Sequence, residues 1–334
     1  MACRIIAEVG LSHEGSLGLA KAFIRASKEA GADAVKFQMH NAAFESSDYE
    51  NFRVKFSDQD HSRSGYWNRT SFSTQEWKLL KSFADSQEIE FIVSVFSMTA
   101  LEIALELGVT NFKLGSGDLN NEEFLTEIPK LSINLIVSTG MAFWAEIEQA
   151  VKAYEKLPSL AVLQCTSKYP TPLNQVGINI MNEIRKRFNV LTGLSDHSDS
   201  LSSSVVAMVN GADYIEKHVI FNRKMFGPDV TSSITFEQLA DLTAMRNDFA
   251  LINQLVDKDT IAQELNEMRD LFGRSLGLKE NRPAGHRIER VSEFCLRKPR
   301  GGLSWNSKSD FIGQVLKKDY NVGEFLTYKH VESE

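Results

Sequence analysis

Eight short apolar, β-branched runs recur at 4–9, 34–38, 90–95, 111–114, 134–138, 161–164, 190–194 and 214–218. Between them lie segments of helical period such as "LGLAKAFIRASKEA" (17–30), "STQEWKLLKSFADS" (73–86) and "AEIEQAVKAYEKL" (145–157). Strict strand and helix alternation predicts a parallel sheet, and eight units favour closure into a barrel over an open doubly wound sheet. The expected fold is α/β: a (β/α)8 TIM barrel over residues 1–271. Helix starts are expected at the capping boxes of Ser73 with Glu76, Asn120 with Glu123, and Thr235 with Gln238, where side chains satisfy the first free backbone N–H groups.

Two stretches depart from a plain barrel. Residues 41–73 form a polar connection after the second strand, longer than structural connections usually run, which points to a lid. From 272 to 334 the pattern breaks into β-like pieces around "RPAG", "KPRGG" and "NVG", the mark of a small, separate β-rich domain.

The totals exclude several function classes. A net charge of −7, with scattered Lys and Arg, argues against nucleic acid, whose binding needs clustered cations. Cys3, Cys165 and Cys295 lie far apart without a C-x-x-C pair, so neither a disulfide framework nor a zinc knuckle is expected and a reducing cytoplasm fits. No apolar run approaches the ~20 residues a membrane span requires, and Arg4 and Glu8 interrupt the start as no signal peptide would.

Active sites of such barrels lie at the C-terminal ends of the strands. There this chain places "SHEG" (12–15), Lys36 and Gln38, Ser94, Lys113 with "GSGD" (115–118), "STGM" (138–141), "QCTSKYP" (164–170) with Ser167, then Ser195, Asp196 and His197, and Glu216 with His218. His197 and His218 fall on adjacent strands, close enough to share a divalent ion such as Mn²⁺, Co²⁺, Fe²⁺ or Zn²⁺; the alternative is that each only hydrogen-bonds a neighbour. Lys36 and Lys113 sit in apolar strands and need counter-charges, from a bound phosphate or carboxylate or from an internal pair with Glu8 or Asp118; an imine-forming lysine is the third reading. Cys165 reads as an apolar filler, and Glu14 and Asp229, in loops marked by glycine or proline, as acid–base candidates.

These residues fall in motifs that resemble the N-acetylneuraminate (sialic acid) synthase family, with its pseudaminic and legionaminic acid synthases: "IAEVGLSHEGS", "GADAVKFQ", "FKLGSGDLNN", "VSTGMA", "CTSKYPTP", "GLSDH", "YIEKHV" and "GPDV", in order. The tail is similar to that family's antifreeze-like (SAF) domain. The resemblance implies condensation of phosphoenolpyruvate with an N-acylated hexosamine to give a nine-carbon 2-keto acid and phosphate. It further implies that His197 and His218 hold a divalent metal, typically Mn²⁺, with Mg²⁺ or Co²⁺ as alternatives. Lys36, Gln38, Ser94, Lys113, Ser116, Ser138 and Ser195 match phosphoenolpyruvate positions, Glu14 the acid or base, and Tyr169 and Asp229 the sugar side, with Ser167 a further substrate-binding candidate. A homodimer is implied, with the SAF domain completing the partner's active site through Lys298. Competing readings are a synthase of a shorter keto acid, a Schiff-base lysine aldolase and a non-catalytic sugar-binding barrel. Three departures bear on which sugar is taken: Gln164 in place of a histidine before "CTS", "VSVF" (93–96) for "STPF", and Lys298, flanked by Arg297 and Arg300, for an arginine.

Overall fold

The computed structural model describes residues 3–47, 49–54, 56 and 59–331, and the chain divides into two compact units, Met1–Asn253 and Gln254–Glu334. The first is a closed parallel barrel. Its strands are β1 (Arg4–Gly10), β2 (Ala34–Met39), β3 (Glu90–Val95), β4 (Asn111–Leu114), β5 (Asn134–Ser138), β6 (Ser159–Cys165), β7 (Leu191–Asp196) and β8 (Tyr214–Ile220), each paired with its neighbour in sequence, and β8 closing on β1. A two-residue strand, Ile234–Thr235, extends the pairing beside the end of β8.

Side chains alternate faces along a strand, so each strand divides its residues between the barrel interior and the helical shell. Ile6, Ala34, Ile92, Ile136, Ala161 and Leu163 fill the interior as one apolar layer. Two residues further on, the same face carries Glu8, Lys36, Ser94, Ser138 and Cys165, joined by Lys113, Ser195 and Glu216. The opposite faces of the strands meet the apolar stripes of the helices: Phe23 and Ile24 from Leu17–Glu29, Leu80 from Thr74–Ser86 and Tyr154 from Trp144–Tyr154 are fully buried. Each such side chain contributes roughly 1.5–3 kcal/mol through burial.

Several local expectations change. β7 continues through Ser195 and Asp196 instead of ending at Leu194. The helix Glu122–Glu127 is capped by Asn121, whose side chain accepts from the Glu123 and Phe124 N–H groups, while Asn120 donates to Glu146. The connection expected to form a lid contains the helices Ala42–Glu45 and Arg63–Thr70; Asp48, Lys55, Ser57 and Asp58 of that segment lie outside the described residues.

The second unit begins ahead of the helices Lys258–Glu264 and Asn266–Phe272, whereas the pattern change alone suggests a start at 272. Leu276, Leu278, Ile288, Phe294, Phe311, Leu316, Tyr320 and Leu326 form its own core. Its β-structure is more modest than expected: one antiparallel pair, Ser275–Leu278 with Phe294–Arg297, plus isolated bridges such as Arg282 to Tyr320. No described helix is long and apolar enough to cross a membrane.

Candidate active site

Above the apolar layer the barrel holds a four-charge cluster. Lys36 Nζ lies 2.9 Å from Glu8 Oε2 and 3.7 Å from Glu216 Oε1, and Lys113 Nζ lies 2.6 Å from Glu216 Oε2. The counter-charge of Lys113 is thus Glu216, not Asp118. Lys36 also donates to Ser94 Oγ at 2.9 Å, Ser195 to Glu216 at 2.9 Å, and Gln38 Nε2 to Glu8 Oε1 at 2.6 Å. Burial alone would raise the Glu216 pKa, but Lys113 and Lys36 override it and hold the carboxyl far below its usual range. Burial pulls Lys36 down, yet the two carboxylates raise it, while for Lys113 burial, with the neighbouring Lys36 adding, outweighs the pull of Glu216 and lowers it.

At the rim, Ser138 is buried and its hydroxyl has no hydrogen-bond partner among the described residues. Ser116 and Ser167 meet at 3.3 Å across Gly140; a side chain there would collide with both, its Cβ falling 2.2 Å from Ser167 Oγ and 2.5 Å from Ser116 Oγ. "STG" therefore needs its glycine to seat two hydroxyls side by side.

On the other side of the mouth the rings of His197 and His218 lie 5.4 Å apart, centre to centre. His197 Nδ1 faces the Thr166 carbonyl at 3.2 Å and Cys165 Sγ at 3.7 Å, which fixes the ring and leaves Nε2 without a hydrogen-bond partner among the described residues. Burial, with His218 adding, pulls its pKa to about 3, so the ring is a neutral nitrogen donor at ordinary pH. Cys165 has a histidine beside it in space though not in sequence, but burial lifts its thiol to about 11, as suits a filler better than a nucleophile. Tyr169 stacks on His197 at 4.1 Å, Arg53 covers Tyr169 at 3.9 Å, and Asp229 Oδ1 accepts from Arg53 at 2.7 Å while Oδ2 lies 3.9 Å from His218 Nδ1.

Glu14 adopts φ +51° in the turn after β1, and Gly15 follows at +75°, where a Cβ would strike the Arg69 carbonyl at 2.6 Å. The turn delivers the Glu14 carboxylate to Tyr66 (3.1 Å) and Arg69 (2.8 Å); burial raises its pKa against the pull of Arg69. Its neighbour His13 turns into the shell, stacked on Phe72 at 4.6 Å. Lys298 belongs to the second unit, where its ammonium sits 4.8 Å from the Phe272 ring centre.

Asp196 and Gln164, both from the motifs, also face away from the mouth. Asp196 pairs with Lys217 at 2.9 Å and accepts from the Ser198 N–H and the Ser203 and Ser204 hydroxyls, so it anchors the loop after β7. Gln164 lies in the outer layer, donating to the Cys165 and Val176 carbonyls and accepting from Thr139. Its departure from the commoner histidine therefore does not alter the inner lining. Glu216 was expected at the mouth beside His218 but given no role of its own, and Arg53, Arg69 and His40 were not singled out by pattern at all. His40 lies clamped between Trp67 (4.5 Å) and Phe96 (4.2 Å), its ring nitrogens 2.7 Å from Glu45 Oε1 and 3.1 Å from the side-chain Oε1 of Gln38.

Fold and mouth together define a (β/α)8-barrel enzyme whose strand ends carry buried lysine–carboxylate pairs, hydroxyls and two adjacent imidazoles. The chain belongs to the NeuB family, whose model matches residues 23–255. It is 30% identical over 330 residues to an N,N'-diacetyllegionaminic acid synthase of Campylobacter jejuni, covering 96% of this chain and 98% of the relative. To mouse N-acetylneuraminate-9-phosphate synthase it is 31% identical over 295 residues, covering 85% of this chain and 80% of the relative. The crystal structure of an N-acetylneuraminic acid (sialic acid) synthetase from Leptospira borgpetersenii in complex with citrate superposes with a TM-score of 0.69 at 27% identity, covering 81% of this chain and 93% of that one.

Proposed function

We infer that this chain is a sialic-acid-type synthase, a transferase that joins phosphoenolpyruvate to an open-chain N-acylated hexosamine and yields a nine-carbon 2-keto acid and inorganic phosphate. The names of its relatives support the reaction class. The observation that carries the reading is one mouth holding both a lysine pair suited to an anion and an imidazole pair suited to a metal. In the reaction, C3 of phosphoenolpyruvate bonds to the sugar aldehyde carbon, the aldehyde oxygen gains a proton, water supplies an oxygen and phosphate leaves.

Lys36 and Lys113, with Ser94, Ser116, Ser138, Ser195 and Gln38, bind the phosphoenolpyruvate carboxylate and phosphate. The orphaned Ser138 hydroxyl supports this assignment, since a buried O–H without a partner is costly unless a ligand supplies one. Because both lysines are already neutralised, the arriving anion displaces a carboxylate contact. His197 and His218 would hold a divalent ion, Mn²⁺ best, with Mg²⁺ or Co²⁺ as alternatives; the neutral His197 ring with its free Nε2 suits the task. Among the described residues no three His, Cys, Asp or Glu side chains converge on such an ion, so water or substrate would complete its shell. When bound, it supplies Lewis acidity to the sugar carbonyl. Glu14, lifted by burial, moves a proton at the aldehyde oxygen or the attacking water, and Asp229, Tyr169 and Ser167 orient the sugar. The second unit is proposed as the SAF domain that, in a homodimer, brings Lys298 to the partner's sugar.

A Schiff-base aldolase draws support from the lowered amine of Lys113. Chelation followed by added Mn²⁺ separates the readings: loss and recovery of phosphate release supports the synthase, whereas a lysine adduct trapped by borohydride in the presence of substrate supports the aldolase.

A further inference from the structure

The residues given to the sugar, Asp229 and Tyr169, are held by a third side chain from the long connection after β2. Arg53 Nη2 donates to Asp229 Oδ1 at 2.7 Å and to the Pro228 carbonyl at 3.3 Å. Its guanidinium carbon lies 3.9 Å from the Tyr169 ring centre, so guanidinium, phenol ring and the His197 imidazole form a three-layer stack. Both hydrogen bonds use Nη2; Nε and Nη1 have no partner among the described residues, and the side chain is 36% exposed. A guanidinium carries its N–H donors on a planar fork, which suits a planar acceptor such as a carboxylate or a carboxamide oxygen.

We propose that Arg53 is a specificity-determining residue that donates hydrogen bonds to the acyl carbonyl oxygen of the acceptor sugar. The inference rests on the synthase reading, which gives Asp229 and Tyr169 to that sugar. A sugar that reaches Asp229 and Tyr169 lies next to Arg53, which contacts both and keeps Nε and Nη1 without a partner among the described residues. The acyl carbonyl is the neutral, planar acceptor that distinguishes an N-acylated hexosamine from its hydroxyl counterpart.

The test compares wild type, Arg53→Ala and Arg53→Lys with an N-acylated hexosamine and with the analogue bearing a hydroxyl in place of the acylamino group. With the acylated sugar, Arg53→Ala should lower kcat/KM for the sugar by about tenfold or more while the KM for phosphoenolpyruvate stays within about twofold. Arg53→Lys should recover only a minor part of the loss, since an ammonium neither stacks nor forks. With the hydroxyl analogue, the Arg53→Ala penalty should shrink to about threefold or less, because the contact it removes is absent there. An equal penalty with both sugars makes Arg53 a clasp for the loop and overturns the inference, as does no penalty with either. If wild type turns over neither sugar, the synthase reading itself falls, and the inference with it.

Discussion

Replacing Glu216 with Gln removes one of two negative charges from the barrel interior while both lysines remain. All four side chains of the cluster are at most 5% exposed, so water cannot make good the loss. Glu216 accepts from Lys113 at 2.6 Å and from Ser195 at 2.9 Å, and Gln can replace the hydrogen bonds in part but not the charge. Removing one partner of a buried pair costs about 3–5 kcal/mol. In a domain of this size each kcal/mol shifts Tm by about 2–4 °C, so a drop of about 6–20 °C is expected. The folded carboxyl is depressed, so its contribution is present above the unfolded carboxylate value and is lost only as pH falls through the folded one; thermal unfolding near neutral pH therefore reads the full effect. Adding Lys113→Met to Glu216→Gln removes the excess positive charge, and the double variant should lose less than the sum of the single losses by about 1–3 kcal/mol. A Glu216→Gln shift under about 3 °C, or strictly additive losses, would refute the view that these charges depend on each other.

If His197 and His218 are the chain's ion ligands, His197→Ala and His218→Ala should each sharply weaken Mn²⁺ binding in titration calorimetry and leave the fold intact; unchanged affinity in both would sink the assignment. His13, held by burial at about 3, stays neutral in the fold while the unfolded chain takes up a proton below about 6.5. Between about pH 7 and 5.5 wild type should therefore lose about 1 kcal/mol more stability than His13→Gln in denaturant titrations, and parallel losses would contradict the burial argument. Mixing His197→Ala with a charge reversal at Lys298 under subunit exchange should restore activity, because one mouth of each heterodimer then has both native parts; a mixture that stays inactive despite proven heterodimers rules out composite sites.

The barrel was legible because its signal is local. Alternation along each strand separates Lys36 and Gln38 from Phe37, and Glu216 and His218 from Lys217, and strand order then brings the inward set together. The same rule explains "LSDH": Ser195 and His197 face the mouth, while Asp196 points into the shell to hold Lys217 and the loop. Pairings across the barrel left no local trace. Glu216 meets Lys113 from 103 residues away, and only closure brings them together. Arg53 and Arg69 lie in a polar connection without period, where nothing in the spacing tells a mouth-facing arginine from a solvated one. His40 was hidden for another reason: its clamp is built from Trp67 and Phe96, aromatics that pattern reading assigns to ordinary packing.

The most direct test of the central claim is a product measurement. The protein is incubated with phosphoenolpyruvate, Mn²⁺ and a panel of 2-acetamido and 2,4-diacetamido hexoses, and phosphate and the new keto acid are quantified together. The account predicts phosphate release only when a sugar is present, matched mole for mole by a nine-carbon 2-keto acid identified by mass. Phosphate released without sugar, or a keto acid of any other chain length, would contradict it.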